Sequence, residues 1–136
     1  MPRKTESSNP ADWLFFVGED LGLIGLSIER ELYFLPSQAK LAEALEKILK
    51  AELIRWGWPL ERIHDLRRLA SALRQFDPEL VASIDSVCED LADAYFSDRY
   101  PGFDLEDPDW PTLRAQFAAV TALAAEIRRR LVSPPL

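Results

Sequence analysis

The sequence predicts an all-α fold, an up-and-down bundle of four long helices plus one shorter helix, and two observations carry that prediction. Apolar residues recur three and four positions apart through most of the 136 residues, the spacing that lines one face of a helix. Each such stretch is bracketed by capping residues and by Pro or Gly, and none alternates apolar with polar for long enough to form a strand. A chain of this length that is 48% hydrophobic buries a real core as one domain. The expected organisation is a flexible tail over 1–9, a single helical domain over 10–132 and a short tail over 133–136.

The first helix is expected to start at Pro10, capped by Ser8 or Asn9 and carrying Asp12 in its first turn. Trp13, Val17, Leu21, Ile24 and Ile28 form its inward stripe. A second apolar set, Leu14, Phe15, Leu23 and Leu26, lies off that stripe, which predicts a second buried face against another subunit and hence a dimer. Gly18, Gly22 and Gly25 cost helix stability, roughly 1 kcal/mol each against alanine, unless close approach of another helix uses them.

A second helix is expected from Pro36–Ser37 to a stop at Gly57 and Pro59, with Leu41, Leu45, Ile48, Leu49 and Leu53 inward. Glu43–Lys47 and Glu46–Lys50 are spaced as ion pairs along a solvated face. The short third helix is expected to contain His64 in its first turn, with Leu66, Leu69, Ala70 and Leu73 in the core and His64 on the accessible side. Asp77 and Pro78 open the fourth, whose stripe is Leu80, Ile84, Val87, Cys88, Leu91 and Tyr95. Asp109–Pro111 open the fifth, with Leu113, Phe117, Val120, Ala124, Ile127 and Leu131 inward and Arg128–Arg130 suited to the negative end of its dipole.

Composition excludes several function classes. The net charge is −7, with 16 Lys and Arg against 23 Asp and Glu, which opposes general nucleic-acid binding. Residues 38–75 nevertheless carry eight basic against five acidic groups, so a local basic surface is compatible with the acidic whole. The single Cys88 supports no disulfide framework and reads as a small buried hydrophobe in a reducing, cytoplasmic protein. The N-terminal residues lack the apolar core of a signal peptide, and no membrane association is expected. With one His and one Cys, neither a usual zinc site nor a di-iron carboxylate site forms, and no Gly-rich phosphate loop is present. Asp104, Glu106, Asp107 and Asp109 lack the pattern of a calcium loop. No metal and no cofactor are expected.

The chemistry left is centred on His64 within "ERIHDLRRL". In one reading His64 moves a proton and Arg62 or Arg68 stabilises a phosphorane-like transition state, cleaving RNA without metal. In the other His64 organises the start of its helix and the preceding loop. Arg62 and His64, two positions apart, point about 160° away from each other on a regular helix. Catalysis would then need a second copy of the chain. Lys47 and Lys50 are candidate phosphate contacts, and Trp56 and Trp58, flanking Gly57, are candidate stacking surfaces or core anchors.

Four stretches in order, "EKILKA" at 46–51, "WGWP", "HDLRRL" at 64–69 and "RYP" at 99–101, resemble the HEPN domain family, and "ADWL…ED" at 11–20 resembles its first helix. The resemblance implies a four-to-five-helix bundle, usually a dimer and often encoded beside a minimal nucleotidyltransferase, which is the partner it suggests. It implies one of two functions. Some members are metal-independent RNases, commonly the toxins of toxin–antitoxin pairs, with Arg and His four to six residues apart; others are non-catalytic and bind a nucleotide, nucleic acid or a partner protein. Here one residue separates Arg62 from His64 and eight separate Arg55 from it, so the RNase spacing is absent and no catalytic residue is favoured. Carried over by position, Glu46, Lys47, Lys50, His64, Asp65, Arg99 and Tyr100 are the candidate ligand-binding residues. The expectation is a dimeric, non-catalytic binding module; the alternative is an RNase using His64 with Arg62 or Arg68.

Overall fold

The computed structural model describes residues 7–94 and 107–132. Among these, five helices and no strand are present: α1 (Pro10–Arg30), α2 (Phe34–Arg55), α3 (Leu66–Arg74), α4 (Pro78–Ala92) and α5 (Trp110–Val132). α3 is the short one, as expected. Of the expected tail over 1–9, residues 1–6 lie outside the described residues, as do the expected tail over 133–136 and Tyr95, Arg99, Tyr100, Asp104 and Glu106.

Each helix begins and ends for an identifiable local reason. Asn9 caps α1 by accepting a hydrogen bond from the Ala11 amide at 3.1 Å, with Pro10 at the first position. The far end closes with Glu31 in the left-handed region, φ 54°, while the Leu32 amide returns to the Ser27 carbonyl at 3.0 Å. That double turn satisfies carbonyls a helix end otherwise leaves open. Asp65 caps α3, Asp77 caps α4 with Pro78 behind it, and Asp109 caps α5 through the Thr112 amide and hydroxyl. α2 starts at Phe34, two residues before the expected Pro36, because the Tyr33 carbonyl accepts from the Ser37 amide and Phe34 lies edge-on to Trp110, ring centroids 5.2 Å apart. Its last helical residue is Arg55, and the chain turns away at Gly57, whose φ of +93° favours glycine.

α2 is the central helix, touching α1, α3, α4 and α5. Leu41, Leu45, Ile48, Leu49 and Leu53 are buried as expected, and Ala42, Ala44 and Ala51 bury its other sides. A helix covered nearly all round belongs in the middle of a bundle. On α1 the buried set is Leu14, Val17, Leu21, Ile24 and Ile28. Leu14 therefore belongs to the core rather than to the outer set, and Trp13 lies at the core edge. The glycines divide in function: a Cβ on Gly18 would stand 3.1 Å from the Arg128 guanidinium and one on Gly25 3.5 Å from the Phe117 ring, whereas one on Gly22 would meet nothing within 4 Å. Two of the three thus serve the approach of α5.

The inward faces of α3, α4 and α5 follow the sequence pattern, with Leu66, Leu69 and Leu73, Ile84 and Leu91, and Leu113, Val120 and Ile127 all buried. Cys88 is buried on α4, and burial pushes its thiol up to about 11, so it is a packing residue rather than a nucleophile. No helix among the described residues is long and apolar enough to cross a membrane.

Candidate functional site

Glu46 and Lys50 lie one turn apart on α2, and the structure brings α1 and the chain leading into α3 against them. The Lys50 ammonium stands 3.3 Å from Glu46 Oε2 and 5.2 Å from the centre of the Trp13 ring on α1. Trp13 is itself fixed, its indole N–H donating to the Ser7 carbonyl at 2.7 Å. Lys50 is 0% exposed, and its contact with Glu46 is an ion pair without hydrogen-bond alignment, leaving Nζ with no aligned acceptor. The expected solvated face is thus corrected at this position: Trp13 roofs the ammonium, and burial turns a routine surface pair into a costly one.

Lys47 makes its salt bridge across to Asp20 on α1 at 2.7 Å, rather than along α2, and lies 5.7 Å over the Phe16 ring. Glu43 meets Lys40 at 3.0 Å. The expected Glu46–Lys50 pair is present, while Glu43 pairs with Lys40 three residues before it on α2 and Lys47 with Asp20 across on α1.

His64 precedes α3 rather than lying in its first turn. Asp65 is the cap, accepting from the Arg67 amide at 2.9 Å, so the helix can begin only at Leu66. The chain from Pro59 to Asp65 is non-helical, and the 160° separation expected for Arg62 and His64 on a helix does not apply. His64 Nδ1 lies 3.0 Å from Glu46 Oε2, the oxygen that also faces Lys50, while the side chain stays 67% exposed. The accessibility expected of His64 holds, with one ring nitrogen engaged. Arg62 and Arg68 are exposed, and among the described residues no ion pair or hydrogen bond joins either to this cluster. Arg67, between them, bridges to Glu89 at 3.0 Å and Asp93 at 3.6 Å and so fastens α3 to α4.

Of the seven carried-over positions, Glu46, Lys50 and His64 meet at one carboxylate oxygen, Lys47 sits beside them on Asp20, and Asp65 caps the adjacent helix. Arg99 and Tyr100 lie outside the described residues. The cations in this cluster all face carboxylates of the same chain, so little positive charge remains for phosphate.

A second charged cluster escaped sequence reasoning. Glu52 on α2 is fully buried, held by a fork from Arg55 and by Arg130 of α5. Arg130 also reaches Asp77, the α4 cap, at 2.9 Å and Glu126 at 3.1 Å. Burial pushes the Asp77 carboxyl up, but hydrogen bonds from Arg130 and the Leu80 amide outweigh it and leave the group below its ordinary value. Of the three arginines expected at the end of α5, two also make cross-helix contacts, Arg130 as described and Arg128 to the Leu14 carbonyl at 3.2 Å, while Arg129 pairs with Glu126 on its own helix. The available signal was a glutamate within the apolar run of α2, with an arginine three residues on.

Trp56 is partly exposed and stacks on Phe76 with ring centroids 5.7 Å apart and planes at 19°, with Arg55 5.1 Å from its ring centre. Trp58 packs against the core. Both tryptophans are thus engaged by neighbours in the fold.

The family model for the HEPN domain matches residues 19–132. No curated protein and no solved structure matches the chain. The matched span runs from the middle of α1 through the end of α5 and takes in the Glu46–Lys50–His64 cluster; on that match over most of its length, the chain belongs to the HEPN domain family, a family of nucleotide-binding and RNase-type modules.

Proposed function

We propose that this HEPN protein is a dimeric, non-catalytic binding module whose ligand is a partner protein, such as a minimal nucleotidyltransferase, or a nucleotide held at the edge of the Glu46–Lys50–His64 cluster. The observation that carries this reading is the double use of Glu46 Oε2, which faces both the Lys50 ammonium and His64 Nδ1. A phosphate-cleaving site needs cations aimed at where charge develops. Here Lys50 is buried and paired, Lys47 is paired with Asp20, and among the described residues no hydrogen bond joins Arg62 or Arg68 to His64. The internal pairing and the net charge of −7 favour a protein partner over free phosphate.

One feature favours the alternative, a metal-independent RNase. A carboxylate on Nδ1 with the ring two-thirds exposed orients an imidazole as a general base does, leaving Nε2 for a substrate hydroxyl. Incubating labelled RNA with the protein and with His64→Ala in chelator separates the two. The binding reading expects no cleavage by either; cleavage by the wild type that His64→Ala abolishes overturns it. A thermal shift with ATP then divides the binding reading, since a nucleotide ligand raises Tm and a purely protein-binding module is indifferent.

A further inference from the structure

α1 is apolar on two opposite sides. Val17, Leu21, Ile24 and Ile28 fill the core, and at 100° per residue Phe15, Phe16, Leu23 and Leu26 lie on the far side. Those four are 66%, 57%, 58% and 60% exposed. Together they present on the order of 400 Å² of apolar surface around Glu19, the size of patch that marks an interaction site and about half of what each side of a stable interface buries. Gly22 opens on this side into empty space, unlike Gly18 and Gly25, which α5 uses.

The charges on this face suit a second copy of the same helix. Asp12 and Arg30 project from the same side as the apolar patch, at its two ends and with opposite signs, about 27 Å apart at 1.5 Å per residue. A two-fold axis crossing α1 near Leu21 and Gly22 sets each Asp12 against the partner's Arg30 and each Phe16 against the partner's Leu26. An isologous interface requires self-complementarity of this kind. Glu19, in the middle of the face, lines a shallow groove together with Phe15, Leu131 and Arg128.

We propose that the outer face of α1 is the interface between two copies of this chain, packed antiparallel with Asp12 of each against the partner's Arg30. The proposal rests on the reading of the protein as a dimer and assigns the surface and register.

Sedimentation velocity over a range of concentrations tests it, with circular dichroism to check that each variant keeps its helices. Wild type is expected to be a dimer, and Phe16→Glu and Leu26→Glu, both at exposed positions, folded monomers. Asp12→Arg and Arg30→Asp are each expected to weaken dimerisation at least tenfold, and the double variant, which recreates the pair with its signs exchanged, to restore it. A wild-type dimer that survives both glutamate substitutions overturns this surface and leaves the dimer reading standing. A wild type that is monomeric at every concentration overturns both. Failure of the double variant to recover overturns the antiparallel register.

Discussion

Glu46 and Lys50 are an ion pair whose two ends are unequal, and removing one end should hurt far more than removing the other. Lys50 is fully buried, whereas the Glu46 side chain is 17% exposed. Glu46→Gln leaves a buried ammonium with no countercharge, a change that costs about 3–5 kcal/mol. Water reaches the Glu46 end, so the lower figure applies, about 3 kcal/mol. For a domain of this size that is a fall in Tm of roughly 12 °C, at about 4 °C per kcal/mol. Lys50→Met removes the charge itself and keeps most of the volume. It forfeits about 1 kcal/mol of attraction to the Trp13 ring, but relieves a desolvation penalty whose removal is worth about 1–4 kcal/mol in comparable buried pairs. Its expected stability is within about 1 kcal/mol of wild type, or higher. The Glu46→Gln/Lys50→Met double variant should recover most of the single Gln loss. Urea denaturation of the four proteins, with slopes compared to check two-state behaviour, completes the cycle. If Lys50→Met costs 3 kcal/mol while Glu46→Gln costs under 1, Lys50 is an attractive anchor rather than a burden that Glu46 carries, and the reasoning fails.

Three further outcomes follow from the charge network and the backbone. Arg130→Ala should destabilise by about 3 kcal/mol in urea, since buried Glu52 loses one of its two arginines and Asp77 its countercharge; Arg130→Lys should recover only part, lacking the fork that reaches three carboxylates. Because the folded-state value of Asp77 lies below the ordinary 3.8, its contribution is present above about pH 4 and lost as pH falls through the folded-state value. Wild type should therefore be more stable than Asp77→Asn at pH 7, and the gap should narrow by pH 3, read as urea midpoints at the two pH values. Gly22→Ala should raise stability by about 0.5–1 kcal/mol, as its Cβ meets nothing, while Gly57→Ala, forced to φ +93°, should lower it by about 1–2 kcal/mol; thermal melts of the two read both signs.

The fold was legible because caps and periodicity agree at nearly every helix. Asn9, Asp77 and Asp109 each do what a short polar residue before an apolar stripe is expected to do; the inward face of α3 coincides with its stripe, whereas on α4 and α5 Val81 and Leu123 are buried beside the expected set and Leu80, Val87, Phe117 and Leu131 are only partly buried. The misreadings share a cause. Leu14 and Lys50, whose expected settings are corrected, and Glu52, for which the sequence raised no expectation, are each placed by a neighbour distant in sequence: the surrounding core, the roofing Trp13, and Arg130 seventy-eight residues on. Periodicity reports the geometry of one helix and is blind to what covers it. His64 was misplaced for a local reason, since Asp65 was read as a member of the helix when its extended backbone makes it the cap.

That displacement changes what the signature residues do. Were His64 inside α3, its ring would turn with the helix and meet α2 only by coincidence of packing. Held just before the cap, it returns to Glu46, and Glu46 is held in turn by Lys50 beneath Trp13. One carboxylate oxygen thus ties the chain leading into α3 to α2, and through the tryptophan to α1. Glu46, Lys50 and His64 together join three elements, with the Lys50 ammonium facing a carboxylate of its own chain. Substituting His64 should consequently loosen the α2–α3 connection without exposing the core, because the ring is mostly in solvent and no other group depends on it for burial. His64→Ala is expected to cost at most about 1 kcal/mol, as a largely exposed polar contact does, with hydrogen exchange rising in residues 59–65 while the amides of α2 stay protected. A loss of several kcal/mol, or exchange spreading into α2, would mean that His64 holds the core itself, and the picture of an exposed tether would have to be abandoned.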